Sequence, residues 1–317
     1  MLINQSKEKN FKKRIEIVWK QRTLYLMLLP GLICLLLFEY VPMYGVSIAF
    51  QDYKLGDVIG TSQWVGFKHF IDFFNTRDIY IILRNTISMS FLRLLIGFTT
   101  PIILALVVNE CQNPKYKSII QTVSYLPHFI SWVVVTTMVM QFLSPDGGEI
   151  NELLLSIGVI DTPIMFMGES KYFWLIIVLS DVWKNIGWNS IIYLAAISSI
   201  SPELFDAADI DGAGRMKKIW YITLPGIAPT ISILLILQMG RLLNAGFEEI
   251  MLYTNDMNNT MVRNVAEVID TYVLRYGIRQ MRFSYATAVS FFRSFVSIIL
   301  IWSANLISKK VSDSSLF

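Results

Sequence analysis

This sequence is short of charge: Asp, Glu, Lys and Arg make up 16% of its 317 residues, whereas 54% are apolar. A soluble domain of this length carries nearer about a quarter charged residues, so a chain that crosses a bilayer several times is the better reading. Cysteine is nearly missing. Cys34 falls in an apolar run and Cys111 beside a polar loop, which leaves no disulfide framework and no metal-ligand spacing. His69 and His128 are the only two histidines, too few and too scattered for a metal cluster or a proton relay. A Gly-x-x-x-x-Gly-Lys-Ser/Thr phosphate loop is absent, so nucleotide chemistry must come from a partner. No cluster of acids and no nucleophile–base pair stands out, which argues against a membrane-embedded enzyme. The first apolar run is long and lacks a small-residue cleavage pattern after it, so it does not read as a signal peptide.

What is present is length in apolar segments. A hydrocarbon core of about 30 Å needs roughly 20 mostly apolar residues per helix. Six segments meet that length, near 24–50, 85–109, 123–143, 172–198, 225–244 and 285–307. The fold class is therefore all-α, a polytopic membrane protein with six transmembrane helices. Glu39 and Pro42 in the first segment predict that its outer end bends or leaves the membrane. With the N-terminus inside, segments 1–23, 110–122, 199–224 and 308–317 hold 14 Lys and Arg in 72 residues, against 9 in 102 for loops 51–84, 144–171 and 245–284. The bias follows the positive-inside rule and predicts that both termini are cytoplasmic. Most of it comes from Lys7, Lys9, Lys12, Lys13, Arg14, Lys20 and Arg22, a tail that suits anionic headgroups rather than nucleic acid.

Between the fourth and fifth segments lies a polar island, residues 201–226, which this orientation places in the cytoplasm. Ser201 is a candidate N-cap, Pro202 suits the first helical position, and Glu203 lies near the positive end of the helix dipole. Leu204, Phe205, Ala207, Ala208 and Ile210 give a small apolar surface; Gly212 and Gly214 permit a sharp turn. A second helix is expected from about Arg215 to Ile222, with Pro225 opening the next span. Three basic residues stand against Glu203, Asp206, Asp209 and Asp211, so the island fits a groove on a partner better than lipid headgroups.

The spacing Asp206-Ala207-Ala208, then Gly212, then Ile222-x-Leu224-Pro225 resembles the EAA loop of binding-protein-dependent ABC importer permeases, with Asp206 in place of the usual Glu. Further stretches resemble the carbohydrate permeases of the maltose and glycerol-phosphate type, in the lipoprotein or polysaccharide permease subgroup. They include Leu29-Pro30-Gly31, Tyr40 to Gly45, Ala49 to Tyr53, Trp64 to Phe67, Arg84-Asn85-Thr86, Ala105 to Glu110 and Tyr125 to Trp132. The resemblance covers most of residues 24 to 310. It implies a type I importer permease with a basic tail (1–23), a first helix and outer loop (24–84), a permease core (85–310) and a short tail (311–317). It further implies that Glu203, Asp206, Ala207, Ala208, Asp211, Gly212, Ile222, Leu224 and Pro225 couple to an ATPase. The implied partners are a second permease subunit, two ABC ATPase subunits carrying ATP and Mg, and an extracellular solute-binding lipoprotein or periplasmic binding protein. No cofactor, metal or catalytic residue is implied on this chain, and the implied location is the bacterial cytoplasmic membrane.

Polar groups inside spans are costly and mark paths or partners. Asp181, Trp183, Asn185, Trp188 and Asn189 in the fourth segment, with Gln238, Arg241 and Asn244 in the fifth, are the substrate-path candidates. Amides around an aromatic platform suit a sugar, and Asn185, Trp188 and Asn189 share one helix face. The same residues also serve as interhelical packing and polar glue, with Lys184 paired to Asp181. Arg241 and Asn244 stand near Glu248 and Glu249, which leaves an intersubunit pair open; Arg93 and Arg293 either snorkel or pair across the bundle. Arg263, Arg275, Arg279 and Arg282 in the last outer loop suit a docked binding protein or an acidic oligosaccharide. The reading is import of oligosaccharides, neutral or uronate-containing, by alternating access. Export of a polysaccharide precursor and ion-coupled secondary transport are the rivals; the latter is disfavoured because Asp181 is the one carboxylate well inside the clear spans.

Overall fold

The computed structural model describes residues 19–312, which are almost wholly helical; the one strand-like pairing among them is an isolated antiparallel bridge between Gln51 and Trp64. The tail residues Lys7 to Arg14 and the closing residues 313–317 lie outside the described residues. Along the chain run α1 (Arg22–Phe50), α2 (Lys68–Phe74), α3 (Ile79–Glu110), α4 (Pro114–Phe129), α5 (Trp132–Phe142) and α6 (Glu149–Ser156). They continue as α7 (Ser170–Ser198), α8 (Pro202–Ile210), α9 (Arg215–Gly240), α10 (Phe247–Tyr253), α11 (Ile269–Leu274) and α12 (Phe283–Lys309). Four of these, α1, α3, α9 and α12, are each long and apolar enough to cross a bilayer. The pairs α4/α5, bent by 103°, and α7/α8, bent by 69°, pass the same test together, which makes up to six where each bent pair is one span.

Five prolines sit inside long helices without breaking them, and a π turn precedes three of them. Pro42 follows the π turn Leu36–Tyr40, Pro101 the turn Arg93–Gly97, and Pro225 the turn Ile219–Thr223. A proline ring presses on the carbonyl four residues earlier, here at Phe38, Gly97 and Tyr221. All three carbonyls lie in the widened turn, which relieves the clash. This corrects one expectation: the fifth span does not open at Pro225 but runs without a break from Arg215, absorbing the expected separate helix. In α1 the chain passes through Pro42 and winds as a 3-10 helix over Tyr44–Phe50.

The expected span 123–143 is not one helix. Pro127 lies in a closing 3-10 turn, Ile130 is extended, and the Ser131 hydroxyl caps α5 by accepting from the Val134 N–H at 3.4 Å. The break places α4 across α7 at Gly187, where the backbones touch.

The core lies along α7. Phe173, Ile176, Ile177 and Val178 pack with Met89 of α3 and with Ile250 and Tyr253 of α10; nearer the other end, Tyr193 and Ile197 pack with Ala105 and Ile227. In contrast, no residue of α1 from Arg22 to Met43 is buried, and only its last turns reach α12, with Phe50 6.0 Å from Phe291. The four outer-loop arginines are tied down. Arg275 meets Glu267 at 2.6 Å, Arg263 meets the same acid at 3.8 Å, Arg279 donates to the Asp256 carbonyl, and Arg282 lies 4.4 Å over Tyr285.

Candidate functional site: a polar relay, a cavity and an exposed hairpin

The island at 201–226 folds as α8, a turn, and the first turns of α9. Ser201 holds the N-cap position, though its side chain makes no capping bond. The C-terminus is closed by a Schellman motif: the Ala213 N–H bonds the Ala208 carbonyl at 2.8 Å and the Gly212 N–H bonds the Asp209 carbonyl at 3.1 Å. The motif requires a left-handed residue, and Gly212 supplies it with φ +69°. An ion pair from Lys218 to Asp209 ties the two helices together.

The residues of the motif divide by exposure. Glu203, Asp206, Ala207, Asp211 and Gly212 are exposed, and Ala208 is half-buried. Leu224 packs with Ile200 against the Tyr193 core; Ile222 is half-buried and Pro225 exposed. Around the turn, Leu204, Ile210, Met216, Trp220 and Tyr221 expose apolar surface, with Ile210 88% accessible. Apolar side chains and acids thus share one exposed hairpin.

Deeper in the bundle the polar residues form one chain of contacts. Arg93, in the π turn of α3, meets Asp181 of α7 at 3.0 Å and Glu249 of α10 at 2.9 Å. Asn185 donates to Asp181 at 2.8 Å, one helical turn away. The Asn185 carbonyl oxygen thus remains as acceptor for His128 Nδ1 at 2.9 Å, which assigns the proton to Nδ1. The His128 ring stacks on Trp188 at 4.4 Å with planes 3° apart. Gly246 makes room for this arrangement: a Cβ there would stand 1.9 Å from Arg93 Nη1.

Lys184 does not pair with Asp181 as the spacing suggests. Its ammonium donates to the carbonyls of His128 and Ile130, both at 2.6 Å, and lies 5.6 Å over the Trp132 ring. These carbonyls are orphaned by the break after α4, and a cation is the partner that the negative end of a helix favours. Lys184 therefore holds the broken helix in place.

A cavity of about 270 Å³ opens between α3, α7 and α9. Gly97, Phe98 and Pro101 form one wall, Asn189, Ile192 and Tyr193 the second, and Leu234, Leu237, Gln238 and Arg241 the third. Three path candidates, Asn189, Gln238 and Arg241, meet here. Asp181, Asn185 and Trp188 belong instead to the relay beside it, Trp183 is 46% accessible and does not line the cavity, and Asn244 lines a separate groove with Asp270 and Arg293. Arg293 pairs with Asp270, and Glu249 is taken by Arg93. His128 was discounted by its isolation in sequence, and Glu249 lay outside the expected spans. An arginine in mid-span was the one signal that a buried acid must face it.

The profile of the family described as "binding-protein-dependent transport system inner membrane component" matches residues 97–313. Protein LplB of Bacillus subtilis (strain 168) is 45% identical over 298 residues, spanning 94% of this chain and 92% of its own length. The polygalacturonan/rhamnogalacturonan transport system permease protein YteP of the same organism is 44% identical over 311 residues, spanning 98% and 95%. Among solved structures, a chain of a bacterial ABC transporter involved in the import of the acidic polysaccharide alginate superposes with a TM-score of 0.86 at 38% identity, covering 95% of this chain and 99% of that one. The same agreement holds for the alginate transporter in complex with an alginate pentasaccharide-bound periplasmic protein.

Proposed function

The chain belongs to the family of binding-protein-dependent transport system inner membrane components, and on that premise we propose how its parts divide the work of an oligosaccharide ABC importer. It is a transport subunit without catalytic chemistry of its own. The exposed hairpin from Ser201 to Pro225 docks on one of two ATPase subunits, which bind and hydrolyse ATP with Mg. A second permease subunit completes the path, and a solute-binding protein delivers the oligosaccharide at the outer ends of the spans. Both termini lie in the cytoplasm.

One observation carries this reading: α7 joins the two sites. It lines the cavity with Asn189, Ile192 and Tyr193 and ends at Ser198, with three residues between it and α8. Asn189 to Ser198 is about 14 Å of uninterrupted helix at 1.5 Å per residue. A pull on α8 by the closing ATPases therefore moves the cavity wall as a rigid lever. Because both ligands act on one equilibrium, the loaded binding protein and ATP each favour the state that binds the other.

The test is ATP hydrolysis by the complex in lipid, with its binding protein loaded from a panel of neutral and acidic oligosaccharides. Stimulation by a loaded binding protein supports the reading. Absence of co-purifying ATPase subunits overturns the docking assignment; assembly without any stimulation overturns import.

A further inference from the structure

We infer that Arg241 binds the carboxylate of a uronate residue as an acidic oligosaccharide passes through the cavity; the inference rests on the importer reading above. Arg241 follows the last residue of α9 and makes no ion pair or side-chain hydrogen bond among the described residues. It lines the cavity, whose walls carry no acid. Of the acids nearby, Asp181 and Glu249 both hold Arg93. Glu248 and Arg241 are both exposed, and no ion pair joins them. Among the described residues, Arg241 is thus the one charged side chain on the cavity wall.

Arg241 is exposed, so its guanidinium is free to meet an anion that enters the cavity. Here the side chain faces a cavity between three helices, alongside the Asn189 and Gln238 amides and a Phe98–Tyr193 edge-to-face pair with ring centroids 6.4 Å apart. Amides answer sugar hydroxyls, and the rings answer the C–H face. A planar guanidinium matches a carboxylate with two parallel N–H···O bonds, which a neutral sugar does not use. The cavity therefore selects for charge as well as for shape.

The experiment compares uptake of a galacturonate trisaccharide with that of its methyl ester, which differ in charge but hardly in size. The reconstituted complex is used with its own binding protein, as wild type, Arg241→Gln and Arg241→Lys. The same binding protein serves all three, so its own preference cancels in the ratio. Arg241→Gln is expected to lower the acid-to-ester uptake ratio about 10- to 100-fold, the worth of one hydrogen-bonded charge pair, while Arg241→Lys keeps most of it. An unchanged ratio in the Gln variant, or the same ratio loss in Gln and Lys, overturns the inference, as does wild type that imports only the ester. If the Gln complex does not assemble, a Lys complex with the ratio of an uncharged site overturns it and one near the wild-type ratio supports it. Wild type that imports neither sugar, nor any other oligosaccharide, fails the importer reading itself.

Discussion

Gly187 of α7 lies against Ser124 of α4 so closely that a Cβ on it would stand 2.1 Å from the Ser124 carbonyl oxygen. Small residues let helices in a bilayer approach backbone to backbone. At this crossing the approach also sets His128, four residues beyond Ser124, on the ring of Trp188. Gly187→Ala should push α4 outward and destabilise the subunit by about 1–3 kcal/mol, the usual cost of overpacking. Thermal unfolding of the purified complex in detergent checks this; an unchanged midpoint would show that the crossing yields freely.

Arg93 faces both Asp181 and Glu249, so its loss leaves two carboxylates without their cation. Arg93 and Asp181 are half-buried, so the loss falls below the about 3–5 kcal/mol of a fully buried network and comes mostly from the charge left behind. Arg93→Gln is therefore expected to be poorly stable, and Arg93→Gln with Asp181→Asn to lose less than the sum of the single changes. A double-mutant cycle on unfolding reads the coupling, and additive losses would mean that the two side chains act independently.

Lys184→Met keeps the stem and removes the ammonium from the His128 and Ile130 carbonyls. Hydrogen bonds to charged groups contribute about 1.5–3 kcal/mol each, so the turn between α4 and α5 should loosen. Hydrogen exchange in residues 130–135 should accelerate, while exchange along α12 should not change. Equal protection in variant and wild type would show that Ser131 and Pro127 hold the break unaided.

Gly212→Val forces a β-branched residue to φ +69°, a strain of about 1–2 kcal/mol, whereas Gly212→Asn keeps a residue that tolerates this region. The Val variant, Gly212→Pro and a bulky residue at Ala207 are each expected to insert normally and to lose uptake by about tenfold or more relative to ATP turnover, a coupling loss of the usual allosteric size. The Asn variant should stay near wild type. Uptake and hydrolysis measured on the same liposomes separate the cases, and wild-type uptake by the Pro and Ala207 variants would sink the docking assignment.

Much of this protein follows from its sequence alone. The number of apolar segments, the helical fold class and the polar island depend on local quantities: hydropathy over about 20 residues, capping and turn residues, and the spacing of a short motif. Asn189, Gln238 and Arg241 also stand out in the sequence, because a polar group inside a span is conspicuous wherever it points. What the tertiary structure decided is who meets whom. Lys184 and Asp181 stand at helical spacing, yet orphaned carbonyls on another helix hold the one and Arg93 holds the other. The break after Pro127, the uninterrupted run of α9 through Pro225 and the recruitment of His128 likewise depend on neighbours far along the chain. A helix's periodicity fixes which residues share its face. Which face another helix covers, and whether a buried charge finds its partner at 3 Å or not at all, is settled only when the helices pack.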